Sequence, residues 1–325
     1  MRPRIFLSQP VPGPALDMLR AAGDVEVGPD TSQIMPKARY MEHMRRCDFL
    51  FHIMHDTVDR EVLDASPSLK IIASQSITPA LVDVAEATRR KIPVTTIPNV
   101  VYEATADLTW ALLMAAARRI PEADRGVRAG VFPGSQSIHF MGQGVFRKTL
   151  GIIGLGQIGK GMARRARGFE MRVLYWKRNR LRPEEEAELR AEYRPLDEVL
   201  READFVSLNA AYSKETYHVM GARQFALMRP TAIFINTSRG PMVDEQALVD
   251  ALKSRRIVGA GLDVFEGEPK VHPDLLGMDQ VVLTPHIGSG VRDVREEIAV
   301  IVANNILAAI RGERPPNTYN PEIYA

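Results

Sequence analysis

The sequence predicts an α/β protein of two domains, each a doubly wound parallel sheet with helices on both faces. Two series of short β-rich runs alternate with amphipathic stretches, one before residue 100 and one from residue 150 onward, as parallel sheets covered by helices require. The 325 residues also exceed the size at which a single hydrophobic core usually keeps growing. With 45% hydrophobic and 25% charged residues, the composition is that of an ordinary globular protein.

The first series supplies one predicted sheet. Its strand-like and helix-like runs follow one another at residues 4–8, 14–22, 49–54, 59–65, 69–74 and 94–97. A long helix pattern then covers residues 103–119, where Leu108, Leu112 and Ala115 fall at three- and four-residue steps. Pro121 stands just beyond it and marks its end. We predict a connector or dimer helix here.

The second series supplies the other sheet. Its runs lie at residues 150–154, 159–168, 172–176, 196–202, 205–209, 232–235, 244–254, 259–264 and 281–283. A last helix pattern covers residues 292–311. If this helix returns to the first sheet, the second domain is an insertion. We therefore predict one domain from residues 1–99 plus 287–325 and another from residues 100–286, with a cleft between them.

Charge and cysteine content narrow the class of protein. The 42 basic and 40 acidic residues leave a net charge of +2, so no global field favours nucleic acid or an anionic membrane as partner. Cys47 is the single cysteine, and no hydrophobic leader follows Met1, which favours the cytoplasm. No group of His, Cys and carboxylate residues has the spacing of metal ligands, so we expect no metal.

A glycine turn predicts a dinucleotide site. The apolar run 150–154 leads into Gly154, Gly156 and Gly159, with Gln157 and Ile158 between them, and then into a helix-forming run. Such a turn lets the backbone approach a pyrophosphate, which the N–H groups of the helix N-terminus then bind. A tight glycine turn without a ligand is the alternative. The motif is typical of a Rossmann-like domain.

The residues after the next strand predict the form of the cofactor. Lys177, Arg178, Asn179 and Arg180 occupy the place where an acidic residue would bind a free ribose 2′-hydroxyl. Cations there can instead bind a 2′-phosphate, arginine through its planar fork. We therefore predict NADPH over NADH. A solvated basic loop is the alternative.

Several later motifs resemble, in order and spacing, those of the D-2-hydroxyacid dehydrogenase family. They are residues 104–108 (ATADL), 236–240 (NTSRG), 261–265 (GLDVF), 268–269 (EP) and 284–288 (TPHIG). Within the family the pattern is most similar to the glyoxylate and hydroxypyruvate reductases. The resemblance implies a substrate-binding domain with a flavodoxin-like sheet from residues 1–99 plus 287–325, an NAD(P)-binding Rossmann domain from residues 100–286, and a homodimer. The helix around Trp110 is the expected dimer surface.

The chemistry of a 2-keto acid fits three residues of these motifs. A guanidinium can hold the carboxylate and the carbonyl by a two-pronged contact, which suits Arg239. As hydride reaches the carbonyl carbon, a proton must be supplied to the oxygen, which suits His286. The resemblance assigns Glu268 to stabilise the protonated imidazole. We expect reduction of glyoxylate or hydroxypyruvate to the D-2-hydroxy acid.

The resemblance also implies residues that bind the cofactor and the substrate. Asp263 matches the position that holds the nicotinamide carboxamide, and Thr237 and Thr105 belong to the same expected cofactor site. The substrate carboxylate would be bound by backbone N–H groups of Ile77 and Thr78. The loop Ile77-Thr78-Pro79-Ala80 departs from the family pattern, because Pro79 has no N–H to donate.

Other interpretations stay open. Each motif residue taken alone fits a surface loop or a strand end. The same fold and triad also serve nucleotide-sensing binding proteins, and a Rossmann-type methyltransferase shares the glycine turn. A dehydrogenase acting on phosphite or formate is a further alternative. We interpret His52 and His55 as structural histidines, and His43, His218 and His272 as exposed helix or loop residues.

Overall fold

The computed structural model describes residues 2–29, 33–79 and 81–325. The chain divides into two units, Met1–Val100 with Gly290–Ala325 and Val101–Ser289. In the described part of the chain, no helix is both long and apolar enough to cross a membrane. Strands and helices are numbered below along the chain.

The first unit alternates strands and helices. Its elements are β1 (Arg4–Leu7), α1 (Ala15–Ala22), β2 (Asp24–Val27), α2 (Lys37–Met44), β3 (Phe49–His52), α3 (Arg60–Asp64), β4 (Ile71–Ser74), α4 (Val84–Arg89), β5 (Val94–Thr95) and, near the C-terminus, α13 (Arg292–Ile310). The strands form a parallel sheet in the order β2-β1-β3-β4-β5. Both β3 and β4 are buried along their whole length, as expected for strands with helices on both faces. The last helix, α13, packs on α1, β3 and β4.

The second unit follows the same plan with more elements. They are α5 (Tyr102–Ala117), α6 (Ile120–Arg128), β6 (Thr149–Ile153), α7 (Gln157–Ala166), β7 (Arg172–Trp176), α8 (Pro183–Leu189), β8 (Ala191–Tyr193), α9 (Leu196–Glu202), β9 (Phe205–Leu208), α10 (Ala222–Leu227), β10 (Ile233–Asn236), α11 (Glu245–Lys253), β11 (Gly259–Leu262), α12 (Pro273–Leu276) and β12 (Val281–Leu283). The strands form a parallel sheet in the order β12-β11-β10-β9-β6-β7-β8. The predicted fold class, two parallel-sheet α/β domains, is confirmed.

Strand alternation in the second unit builds a separate core on each face of its sheet. Ile152 packs into the core that contains α5 and α7 residues, whereas Ile153 packs into the core that contains α9, α10 and α11 residues. Phe205 and Val206 divide in the same way, because successive side chains of a strand point to opposite faces. The sheet order reverses at β6, between β9 and β7. Open α/β sheets bind ligands at the carboxyl ends of strands at such a reversal.

Candidate active site

The glycine turn lies at this reversal. Gly154 follows β6 with φ +92°, and a Cβ there would stand 2.4 Å from the backbone nitrogen of Ala210, so only glycine fits. A Cβ at Gly159 would stand 2.5 Å from the Gly154 carbonyl oxygen, which shows how closely α7 packs on the turn. A Cβ at Gly156, the residue before α7, would meet no atom within 4 Å. The backbone is therefore open to a ligand at Gly156, as phosphate binding requires.

Gln157 and Ile158 begin α7 directly after this turn. Their N–H groups belong to the first turn of the helix, where no intrahelical acceptor exists. The residues that surround the turn therefore fit a dinucleotide. The pyrophosphate would be held by the backbone from Gly156 to Gly159.

The basic segment after β7 is partly occupied by ion pairs. Arg180 donates two hydrogen bonds of 2.8 Å to the Glu186 carboxylate. Arg178 lies 3.7 Å from Glu215 and is largely exposed. Within the described residues Lys177 and Asn179 have no hydrogen-bond or ion-pair partner. The cations available to a 2′-phosphate are thus Lys177 and Arg178, while Arg180 is engaged.

His286 and Glu268 form an imidazole–carboxylate pair. The His286 Nδ1 lies 2.8 Å from the Glu268 Oε2, and both side chains are about one-third exposed, 32% and 36%. The carboxylate can only accept, so Nδ1 carries the proton and Nε2 remains available to another group. Burial works to raise the pKa of Glu268, but the hydrogen bond and charge of His286 hold this pKa below its usual value. The pair is thus arranged to stabilise an imidazolium.

Arg239 lies close to this pair. It follows β10, and its Nη1 donates a 2.7 Å hydrogen bond to the Ser238 carbonyl. The Arg239 side chain is exposed to solvent on one side, but surrounding protein partly desolvates its guanidinium. This desolvation lowers the pKa of Arg239, whereas the negative charge of Glu268 acts to raise it. A Cβ on the next residue, Gly240, would stand 1.8 Å from the Phe265 carbonyl oxygen. The Arg239 turn and the Glu268 loop are therefore in direct backbone contact.

Asp263 binds the segment that carries His286. Its buried carboxylate accepts hydrogen bonds from Thr284 Oγ1 at 2.6 Å and from the N–H groups of Ile287 at 2.8 Å and Gly288 at 2.9 Å. Its own carbonyl accepts from the His286 N–H at 2.9 Å. His286 has φ +53°, an unusual conformation for a residue with a side chain. These bonds fix the backbone on both sides of the imidazole.

Comparison with known proteins identifies the family. Residues 110–288 match the model of the D-isomer specific 2-hydroxyacid dehydrogenase NAD binding domain. The chain is 46% identical over 327 aligned residues to a glyoxylate reductase of Thermococcus gammatolerans, covering 99% of this chain and 97% of the relative. The chain belongs to the D-isomer specific 2-hydroxyacid dehydrogenase family.

Solved structures agree with this assignment. A Thermus thermophilus protein matches with a TM-score of 0.90 and 39% identity, over 97% of this chain and 99% of that one. An NADPH-dependent glyoxylate/hydroxypyruvate reductase of Sinorhizobium meliloti matches with a TM-score of 0.78 and 29% identity, over 98% of this chain and 97% of that one. The dehydrogenase therefore has the NAD-binding domain of its family and takes a nicotinamide cofactor.

The remaining predicted site residues lie in both units. Thr237 is buried, and its hydroxyl lies 2.7 Å from that of Thr109, which in turn donates to the Thr105 carbonyl at 2.6 Å. Ile77 and Thr78 follow β4 in the first unit. Their N–H groups have no partner among the described residues, and Ala80 lies outside those residues. These N–H groups are thus free to bind an anion.

The sequence did not predict the contact made by one side chain of this region. His218, interpreted as an exposed loop residue, is only partly exposed and lies 2.5 Å from Glu266 through its Nε2 and the Glu266 Oε1. Glu266 belongs to the same loop as Glu268. The spacing of 48 residues between the partners gives no local signal that they meet.

Proposed function

We propose that this dehydrogenase reduces a small 2-keto acid, glyoxylate or hydroxypyruvate, to the 2-hydroxy acid, in the D configuration where the product is chiral. The observation that carries the proposal is the 2.8 Å contact between His286 and Glu268 in the same unit as the glycine turn. The glyoxylate reductase of Thermococcus gammatolerans supports the choice of substrate. A reduced nicotinamide, when bound, supplies the hydride.

The three candidate catalytic residues then have distinct roles. Arg239 binds the carboxylate and carbonyl oxygen of the keto acid and stabilises the negative charge that develops on that oxygen. His286, protonated and held by Glu268 through Nδ1, gives the proton on Nε2 to the same oxygen. Glu268 keeps the ring oriented and stabilises its positive charge. The backbone N–H groups of Ile77 and Thr78, in the first unit, stay predicted ligands of an anion.

The cofactor-binding residues belong to the same proposal. The backbone at Gly154, Gly156 and Gly159 binds the pyrophosphate, and Asp263, Thr237 and Thr105 belong to the nicotinamide side. We propose NADPH as the preferred form, because Lys177 and Arg178 are available to a 2′-phosphate and residues 177–183 contain no carboxylate. The NADPH-dependent reductase of Sinorhizobium meliloti supports this preference.

The cellular setting is also proposed. A cytoplasmic location agrees with the free, buried thiol of Cys47, since reducing compartments keep cysteines unpaired. We propose a homodimer formed through the Val101–Ser289 unit. No metal is assigned a role.

The test is a substrate panel. Purified protein is mixed with NADPH or NADH and with glyoxylate, hydroxypyruvate, pyruvate or a bulkier 2-keto acid, and the loss of reduced-nicotinamide absorbance is followed. We expect rapid NADPH oxidation with glyoxylate and hydroxypyruvate. Cofactor binding without turnover of any keto acid would contradict the proposal and favour a nucleotide sensor. Oxidation of phosphite or formate with NADP or NAD would instead assign another small anion.

A further inference from the structure

His218 contacts both loops that carry proposed catalytic residues. Its backbone N–H donates a 3.1 Å hydrogen bond to the carbonyl of Pro241, in the turn that follows Arg239. Its imidazole Nε2 donates to the Glu266 Oε1 at 2.5 Å, in the loop that ends at Glu268. One residue thus ties together the Arg239 turn (239–242) and the Glu268 loop (264–268).

The two loops also touch each other directly. At Gly240 the Arg239 turn touches the backbone of Phe265 with no room for a side chain between them. The Phe265 N–H donates to the Glu268 Oε1 at 3.0 Å, so the position of Phe265 sets one oxygen of the Glu268 carboxylate. A shift of the Glu268 loop away from the Arg239 turn therefore moves the carboxylate that holds His286.

Glu266 is held from its other side by the start of α11. Its N–H donates to the Glu245 Oε1 at 3.3 Å, and its Oε2 accepts from the Glu245 N–H at 3.4 Å. The Tyr217 ring stacks on the His218 ring, with ring centroids 3.9 Å apart, and this stacking restricts rotation of the imidazole. The contact between His218 and Glu266 is therefore fixed at both partners.

We propose that the His218–Glu266 pair is a positioning device that sets the Glu268 loop against the Arg239 turn. This inference rests on the proposed function, because it takes its purpose from the roles of Arg239 and Glu268. His218 acts through these loops and transfers no proton to the substrate. Supporting contacts of this kind matter because a displacement of about 1 Å can cost roughly a hundredfold in rate.

The decisive variants are His218→Ala and His218→Gln. Removing the imidazole should lower kcat/KM for glyoxylate by about 10- to 100-fold, since the loops lose their tie while the reacting groups remain. The Kd for NADPH should stay within about twofold, because the glycine turn is untouched. Glutamine keeps an N–H donor but cannot exchange a proton, so His218→Gln should recover most of the lost activity across the pH range.

A matched control is available in the first unit. His43 also pairs with a carboxylate, its Nδ1 lying 2.9 Å from the Glu26 Oε1, but this pair is far from either catalytic loop in sequence and belongs to the other unit. The His43→Gln variant should keep parental kcat/KM. Parental kcat/KM in His218→Ala would overturn the proposal, and so would equal losses of keto-acid turnover and NADPH affinity. A His218→Gln variant as impaired as His218→Ala, with a flattened pH profile, would assign proton transfer instead.

A second readout separates this inference from the proposed function. Amide hydrogen exchange at Gly240, at Met242 and in residues 264–268 should be faster in His218→Ala than in the parent, whatever substrate the enzyme uses. If the parent reduces no keto acid but both peptides still exchange faster, the proposed function fails while the tie between the loops stands. Unchanged exchange in both peptides would overturn the positioning role directly.

Discussion

Arg239 is exposed to solvent on one side, and its guanidinium is partly desolvated by the surrounding protein. Both properties favour the binding of a small anion. The Arg239→Ala variant should lose at least about a hundredfold in kcat/KM for glyoxylate, since two charge-assisted hydrogen bonds of about 1.5–3 kcal/mol each disappear. Steady-state kinetics measure this loss, and fluorescence titration should show an unchanged Kd for NADPH. Arg239→Lys is the matched control and should be intermediate, because lysine keeps the charge without the planar fork. Equal loss of both ligands would make the arginine structural.

Asp56 is a buried carboxyl group that the proposed reaction does not use. It is 4% exposed, accepts a 2.6 Å hydrogen bond from Ser8, and burial raises its pKa to about 6. Between pH 3.8, the usual pKa of an aspartate, and about pH 6, Asp56 stays protonated in the folded state but has lost its proton in the unfolded chain. The free energy of unfolding therefore falls as pH rises through this interval, and it stays lower at higher pH.

Replacing Asp56 by Asn should remove this loss of unfolding free energy. Relative to the parent, Asp56→Asn should gain up to about 3 kcal/mol of stability between pH 4 and pH 8, which urea unfolding at each pH measures. Burial lowers the pKa of neighbouring His52 to about 4, and its effect on stability has the opposite sign over this range, so only the difference between variant and parent is informative. Asp48→Asn should show the reverse trend, because the hydrogen bond from Arg4 lowers the pKa of Asp48. A difference that does not vary with pH would contradict the assignment.

The order of the motifs predicted Arg239, Glu268 and His286 as site residues. Each of them stands beside a glycine, a proline or a strand end, which the sequence pattern shows. The structure places Glu268 and His286 in contact. The His218–Glu266 pair and the hydrogen bonds on Asp263 were not predictable, since they depend on loop conformations that bring together residues distant in sequence.

Among the elements, the segment after β7 is the one that we propose sets the preference for NADPH. The double variant Lys177→Asp, Arg178→Ala should reduce the preference for NADPH over NADH by about tenfold or more, because charge-assisted hydrogen bonds to a phosphate are worth about 1.5–3 kcal/mol. The ratio of kcat/KM values for the two cofactors measures the change. Arg180→Ala serves as the control and should have a smaller effect, since Glu186 already binds Arg180. An unchanged ratio in the double variant would locate the preference elsewhere.

The sequence also predicted most of the elements around the sites. The glycine turn and the long helix pattern were readable because glycine spacing and a 3.6-residue period are local properties. The sequence could not show which cations after β7 remain available. Arg180 is bound by Glu186 only when the fold brings Glu186 of α8 to Tyr175 and Arg180.

For the whole molecule, exposed apolar side chains mark a candidate surface for the proposed homodimer. Phe132 and Ile138 are 77% and 79% exposed, Met141 is 68% exposed, and α6 contains no buried residue. Trp110, on the helix where the sequence predicts the dimer surface, is half-buried and packs against Phe169, with ring centroids 5.0 Å apart; that expectation stays a prediction. Apolar patches of this kind mark interaction surfaces.

If the proposed homodimer forms through this patch, a charge placed there should dissociate it. The parent should elute with light scattering at twice 36.2 kDa, and the variant Phe132→Ser, Ile138→Asp at the monomer mass, because burying a charge in an apolar interface is unfavourable. Leu276→Ser, which alters an isolated exposed leucine on α12, should remain dimeric. A monomeric parent, or a dimeric patch variant, would contradict this surface.

In the proposed reaction, the His286–Glu268 pair protonates the keto-acid oxygen as hydride arrives. Its most direct test is single-turnover oxidation of bound NADPH on mixing with glyoxylate, compared between the parent and His286→Asn. The proposed mechanism predicts a chemical step slower by about two to four orders of magnitude in the variant, with NADPH binding unchanged. A near-parental rate would show that His286 is not the acid and would contradict the mechanism.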